Sequence, residues 1–388
     1  MANISGLNGL RPAPEAAQKL VTPPYDVIKE GSPLEALLDK NPSSFFHVTL
    51  GPTPAETLAE LQSQGVLMAD AEPCFYVYEQ VWNGGSRLGF FAAVEVSPYA
   101  EGNVIRHEKT FDEKVKGRIA VTRATGYTLE PIFLLTKSPI GSVLEKVRAE
   151  QTPLYDFTSD FGGLNDLHGI HSRVFRVPEA SAEGTALRAA VAQNPLYIAD
   201  GHHRYHAALL GGQTHAMAYI VGDARILAYN RVINGKVPFA TAMASLDLEP
   251  ALDFATPPKN AFCIYTKAGT FLLKAKKVPD DVVGRLDCSI LEKEVYPVLG
   301  VEHSMILKHE FFDYYPEWDL ATMKAKVDEG EYELAVALHP VSIDELMAVA
   351  DAGMKDANIV MPEKSTFFAP KILSGIVLYK HALKPGQG

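Results

Sequence analysis

Short apolar runs suited to strands are interleaved, without a regular beat, with runs spaced for amphipathic helices. No other feature of the sequence restricts the fold as much. "CFYVYEQVW" (74–82) and "RLGFFAAVEV" (87–96) flank Asn83-Gly84-Gly85, a spacing that predicts a hairpin. "PIFLLT" (131–136), "HSRVFRV" (171–177), "PLYIAD" (195–200), "HAMAYIVG" (215–222) and "ILAYNRVI" (226–233) read as further strands, as do "AFCIYT" (261–266), "GTFLLKA" (269–275) and "YELAVALH" (332–339). Helical spacing recurs in 33–41, 53–67, 142–150, 184–193, 288–299 and 341–353, and in the second half of 105–126. Strict alternation of strand and helix is the mark of a doubly wound parallel sheet. Its absence here predicts an α+β, or mixed α/β, architecture.

A stretch rich in proline, alanine and threonine between Phe239 and Lys259 suggests a junction. The expectation is a catalytic region over 1–240 and a C-terminal α+β region over 241–388. The 388 residues can bury a core without staples. A net charge of −11 argues against broad binding to nucleic acid. Cys74, Cys263 and Cys288 are scattered, with no Cys-x-x-Cys, so neither a disulfide framework nor a zinc ribbon is expected. No apolar run approaches the ~20 residues of a membrane helix, and the first residues lack the pattern of a signal peptide. A cytoplasmic protein without membrane contact is the expectation. Quaternary state, a homodimer included, is left open.

Chemistry concentrates at "LYIADGHHRYHAAL" (196–209), where an apolar strand ends at Asp200 and a helical run follows Gly201. Glycine permits a tight turn or close approach of a ligand. The helix start offers unpaired amides and a partial positive charge, which favour an anion. Arg204 adds a planar fork matched to phosphate oxygens. Asp200 can orient a hydroxyl or hold a metal ion, and His202 and His203 can donate to phosphate or shuttle a proton. The plainer reading makes Asp200 a helix cap and the histidines packing or surface groups.

Three further stretches are dense in polar groups. "RHEKT" (106–110) offers His107, Lys109 and Thr110 as a phosphate clamp and Glu108 as a base, or else is a solvated loop. Arg118, in the following helix, can point back to the same place or lie on the surface. "MPEKSTFFAPK" (361–371) offers Lys364, Ser365 and Thr366 as a second cradle and Lys371 beside it. "PPYDV" (23–27) sets Tyr25 and Asp26 behind a rigid diproline, positioned for a substrate's amino group, a metal, or a turn cap. No P-loop, kinase motif set or nucleophile elbow is present in the sequence.

Asp-Gly-His-His-Arg resembles the signature of free serine kinases of the ParB/sulfiredoxin superfamily. The chain as a whole resembles domain-of-unknown-function family 1015, through "LRPAPEAAQKLVTPPYDVI", "NPSSFFHVTL", "RHEKTFDEKVKGR", "LYIADGHHRYHAAL" and "MPEKSTFFAPKILSGIVLY". It departs from that pattern at 226–233, where Arg231 is kept but Asn230 stands in place of a histidine. The resemblance implies a ParB/sulfiredoxin-like nucleotide-binding core. It also implies transfer of a phosphoryl group between ATP or ADP, with Mg²⁺, and a small hydroxylated metabolite, free L-serine foremost. Asp200 takes the aspartate's role, and Gly201, His202, His203 and Arg204 form the phosphate-binding turn. Glu108 is the candidate for a second carboxylate on chemical grounds. A phosphoserine phosphatase and a non-enzymatic nucleotide switch of ParB type are the alternatives.

Overall fold

The computed structural model describes residues 1–110, 112–164 and 166–383. The chain forms two compact units, Met1–Ala224 with Pro370–Gly388, and Arg225–Ala369. The boundary expected near residue 240 lies inside the second unit, and the division is discontinuous, because the chain after Ala369 returns to the first unit.

The first unit is built on a mixed nine-stranded sheet. Its order is Val104–Ile105, Leu196–Asp200, Ile132–Thr136, His215–Val221, Gly85–Glu95, Cys74–Trp82, His171–Pro178 and Tyr155–Thr158, with Ile4–Ser5 also paired to Gly85–Glu95. Two of the pairings, Leu196–Asp200 with Val104–Ile105 and His215–Val221 with Ile132–Thr136, are parallel. The hairpin at Asn83-Gly84 forms as its sequence dictates. One face of the sheet carries the apolar core, with Phe75, Val77, Phe90, Ile132, Leu134, Leu196 and Ile198 buried there. The helices Gly141–Glu150, Ala182–Val191 and His202–Leu210 cover that face through Leu144 and Val147, Leu187 and Val191, and Tyr205 and Ala208. Each contributes apolar residues three or four apart, the period that brings side chains onto one helix face.

The opposite face is aromatic and polar. Tyr78, Phe91, Phe133 and Tyr219 pack ring on ring there, and the guanidinium of Arg87 lies 4.8 Å from the Phe133 centroid. Arg87 is 6% exposed and donates to Gln80 Oε1 and to the carbonyl of Pro370, both at 2.5 Å. Gln80 Nε2 donates to the carbonyl of Lys371 at 3.0 Å. Buried donors need partners, and here the returning backbone supplies them. That requirement fixes where Lys371 sits. Further along, Leu378–Lys380 enters a small sheet ordered Leu67–Ala69, Gly9–Pro12, Leu378–Lys380 and Tyr127–Thr128.

The second unit has its own core around an antiparallel six-stranded sheet. The order is Leu248–Ala251, Gly269–Lys274, Ala261–Thr266, Leu334–Leu338, Tyr229–Ile233 and Phe312–Pro316. The single strand expected over 226–233 is broken at Ala228, with Ile226–Leu227 pairing instead to Phe367–Phe368. The two units together are the mixed α/β architecture that the interleaved sequence dictates.

Candidate functional site

A break in strand register positions Asp200. Ile198 pairs with Leu134, but Asp200 pairs with Phe133, so Ala199 is an extra residue in its strand. Leu134 and Phe133 are neighbours and point to opposite faces. The bulge therefore turns Asp200 away from the apolar core that holds Ile198 and onto the face of Phe133. Unbroken alternation would have buried the carboxylate among the helices. The helix His202–Leu210 starts at once, with Gly201 at φ +95°. The backbone angle of this corner calls for glycine, and a Cβ there would also crowd Arg204 Nε at 3.0 Å. Tyr205 N–H makes the first intrahelical bond, 3.0 Å to Gly201 O, which leaves the amides of 202–204 ahead of the helical ladder.

Two cations converge on Asp200 Oδ2, Lys371 Nζ at 3.1 Å and Arg204 Nη2 at 3.3 Å. Burial alone would push the Asp200 carboxyl up, but Lys371 and Arg204 outweigh it and hold the group well below the ordinary aspartate range. Lys371 is shifted the other way: burial disfavours its charge, and Asp200 and Asp26 more than restore it. Arg204 folds back over Gly201 and also donates to the carbonyl of Pro131.

Glu108 and two histidines make a second cluster beside the corner. His107 is 0% exposed and His202 3%, with ring centroids 4.5 Å apart and nearly perpendicular at 87°. The His107 amide donates to His202 Nε2 at 3.4 Å, and His202 Nδ1 faces Glu108 Oε2, also at 3.4 Å. His107 Nε2 is 3.7 Å from Glu108 Oε1. Burial, with His107 alongside, drives His202 down to about 3, so its ring is neutral at neutral pH. Burial opposes the Glu108 charge, but His202 and His107 bring its carboxyl down to about 2. A neutral His202 accepting at Nε2 must carry its proton on Nδ1, which then donates to Glu108. The three groups lie within 4.8 Å of one another, close enough to suggest a cation site. A cation would need the Nδ1 lone pair and would set an Nε2 proton against the His107 amide. The hydrogen-bond pattern favours an acid–base arrangement.

Glu130, which has no counterpart in the sequence reading, completes the surroundings. It is 5% exposed, and its Oε1 accepts from the Tyr25 amide at 3.0 Å and from Ser374 Oγ at 2.8 Å. Arg118 Nη1 lies 4.0 Å from its Oε2, and the Arg118 guanidinium sits 3.8 Å from the Tyr25 ring centroid. A carboxylate directly before proline and an apolar strand, "EPIFLLT", was the available signal. Gln80 and Arg87, which seat Lys371, carried none that distinguishes them from other strand residues.

The fold thus gathers Asp200, Gly201, His202, Arg204, His107, Glu108 and Lys371, with Tyr25, Arg118 and the exposed Asp26 nearby. His203 is half-buried in the first helical turn, and burial, aided by Lys114, lowers its basicity. Lys109 is exposed and Thr110 half-buried, just beyond Glu108. Lys364, Ser365 and Thr366 belong to the second unit. There Ser365 Oγ donates to Pro362 O at 2.5 Å and accepts from Cys288 Sγ at 3.2 Å. Lys364 has φ +57° and sits over the Tyr229 and Tyr314 rings at 5.6 and 5.7 Å. No described helix is long and apolar enough to cross a membrane.

Among solved structures, the chain is similar to a conserved hypothetical protein from Pyrococcus furiosus at 15% identity and TM-score 0.38, over 75% of this chain and 95% of that one. It is similar to a free serine kinase in complex with AMP at 13% identity and TM-score 0.38, over 74% and 92% of the two chains. For C-terminally truncated SbnI from Staphylococcus aureus the values are 11%, 0.39, 73% and 85%. No curated protein matches the sequence. The model of the family described as "Protein of unknown function (DUF1015)" matches residues 4–289, and the chain belongs to that family.

Proposed function

We propose that this protein is a phosphotransferase that moves a phosphoryl group between a nucleotide, ATP or ADP, and the hydroxyl of a small metabolite, free L-serine foremost. The observation that carries the reading is the convergence of Lys371 and Arg204 on Asp200 at an open helix start, beside the ionised Glu108. Phosphoryl transfer asks little covalent chemistry of the protein. It asks for cations on the phosphate oxygens and an oriented nucleophile. Lys371, Arg204 and the amides of 202–204 supply the first. An incoming phosphate competes with Asp200 for the two cations and takes over their charge. Glu108, kept ionised and donated to by His202, accepts a hydrogen bond from the acceptor hydroxyl and takes its proton as the new P–O bond forms. The bond from that phosphorus to the nucleotide's bridging oxygen breaks, and the departing nucleotide keeps the electron pair, its negative charge met by Lys371 and Arg204. Mg²⁺ would arrive on the phosphate oxygens of the nucleotide and neutralise their charge, because Asp200 Oδ2 is taken by Lys371 and Arg204 and Glu108 serves as the base. The likeness of Asp-Gly-His-His-Arg to the free serine kinases supplies the acceptor.

Phosphorus NMR of the purified protein with Mg²⁺, nucleotide and L-serine tests this. Phosphoserine should accumulate only when nucleotide and serine are both present. Lys371→Met should lower the rate about a hundredfold or more, the scale of losing a charge-stabilising group in the transition state. Phosphate release from phosphoserine without nucleotide would replace the reading by a phosphatase. Nucleotide binding without turnover would replace it by a regulator.

A further inference from the structure

A small pocket of about 40 Å³ lies between the helices Asp112–Thr125 and His202–Leu210. Its walls are apolar and small, with Val121 and Ile132 facing Ala207, Ala208 and Ala216. The polar groups on its lining are Arg118, Thr122, Thr128, Glu130, Arg204 and Gln213. Two of them are orphans. Gln213 is 5% exposed, and its Oε1 has no hydrogen-bond partner; nor has the buried Oγ1 of Thr128. Buried polar atoms without partners are rare, and each calls for an explanation. Arg118 and Glu130 face each other at 4.0 Å, too far for a hydrogen bond. Tyr25 and Ser374 satisfy Glu130 Oε1, which leaves Oε2 for a ligand.

We propose that this chamber binds the head group of a free α-amino acid, its ammonium on Glu130 Oε2, Gln213 Oε1 and Thr128 Oγ1, and its carboxylate on Arg118. The ligand's two charges would fill the gap between the protein's two. An ammonium offers three donors, and the chamber offers three acceptors. Arg118 offers a planar fork to the carboxylate and is held in orientation by the Tyr25 ring. Burial raises the Glu130 carboxyl above its ordinary range, with Arg204 opposing, and an ammonium beside it would favour the charged form. The alanines leave room for a small side chain, whose hydroxyl would project past Arg204 toward Asp200. This assigns the ammonium to Glu130 in place of the exposed Asp26. It deepens the phosphotransferase reading and rests on it for the reaction, while the binding itself can be tested alone.

The test is calorimetric titration of the full chain with L-serine, 3-hydroxypropionate, which lacks the ammonium, and ethanolamine, which lacks the carboxylate. L-serine should bind most tightly. Glu130→Gln keeps an acceptor for Tyr25 and Ser374 but loses the charge. It should weaken L-serine about tenfold or more and ethanolamine likewise, while 3-hydroxypropionate and ADP stay within about twofold. Gln213→Met, close to glutamine in length and without its amide, should weaken the same two ligands and gives an independent answer if the first variant folds poorly. Equal affinity for all three compounds, or an L-serine affinity indifferent to both substitutions, overturns the assignment. Amino-acid binding that depends on Glu130 without any phosphoryl transfer would leave the chamber standing and remove the kinase reading. Transfer to serine that is unaffected by either substitution would do the reverse.

Discussion

At the scale of single residues, the site is defined by which charges survive burial. His202 is driven to about 3 from an ordinary 6.5. The unfolded chain therefore takes up a proton that the folded chain refuses as pH falls from 6.5 toward 3. Stability drops over that window and is fully present above it. The slope from this one group approaches ~1.4 kcal/mol per pH unit. Below 4.5 the depressed Glu108 adds a loss of the same sign. His202→Gln can keep the bonds to the His107 amide and Glu108 without titrating. It should flatten the fall in urea-unfolding free energy between pH 6 and 4.5. An unchanged slope would mean that His202 is not held neutral, and with it the proton assignment on Nδ1 would go. The residues of this cluster were legible because His107, Glu108 and His202 stand in two unusually polar stretches. Glu130 was not, because a lone buried carboxylate looks in sequence like any acid before a strand.

At the scale of elements, the strand-to-helix corner does the positioning. Both flanking elements could be read from "LYIADGHHRYHAAL", the strand from its apolar run and the helix from its spacing. The bulge could not, because period-two reading puts Ile198 and Asp200 on one face and only the partner strand reveals the shift to Phe133. The same limit hid Phe312–Pro316, whose "FDYYP" has little apolar alternation and is a strand because Tyr229–Ile233 pairs with it. Gly201 tests the corner directly. Alanine at φ +95° costs roughly 1–2 kcal/mol in backbone strain, and its Cβ also presses on Arg204 Nε. Gly201→Ala should lower the unfolding free energy by at least that amount. It should also weaken nucleotide binding, because the new Cβ pushes the Arg204 guanidinium from its place beside Asp200 by a few tenths of an ångström. A variant of wild-type stability would show that the turn tolerates another geometry.

At the scale of the whole molecule, the chain leaves the first unit at Ala224 and comes back at Pro370. Composition suggested one boundary near residue 240. It could not reveal the return, because the signal for it lies in contacts across hundreds of residues: Gln80 and Arg87 on Lys371 and Pro370, and Gly9–Pro12 on Leu378–Lys380. This closing segment carries structure and chemistry together. Leu378 is fully buried in a core with Leu10, Leu20 and Phe45, and Ser374 and Thr22 exchange backbone bonds at 2.9 and 3.1 Å. Lys371 and Ser374 meanwhile contact Asp200 and Glu130. Truncation after Ala369 removes all of these at once. Losing the buried Leu378 side chain alone costs about 1.5–3 kcal/mol, and Arg87 and Gln80 keep each other but lose their bonds to the carbonyls of Pro370 and Lys371, each at a further ~1–3 kcal/mol. Such losses are comparable with the whole stability of a domain. The truncated chain should therefore lose the protease resistance of 1–224 while 225–369, whose core is separate, keeps its own. Limited proteolysis with mass mapping distinguishes the two. If 1–224 stayed protected, the returning segment would be a lid over a unit that is already complete, and Lys371 would be seated by something other than the sheet face beneath it.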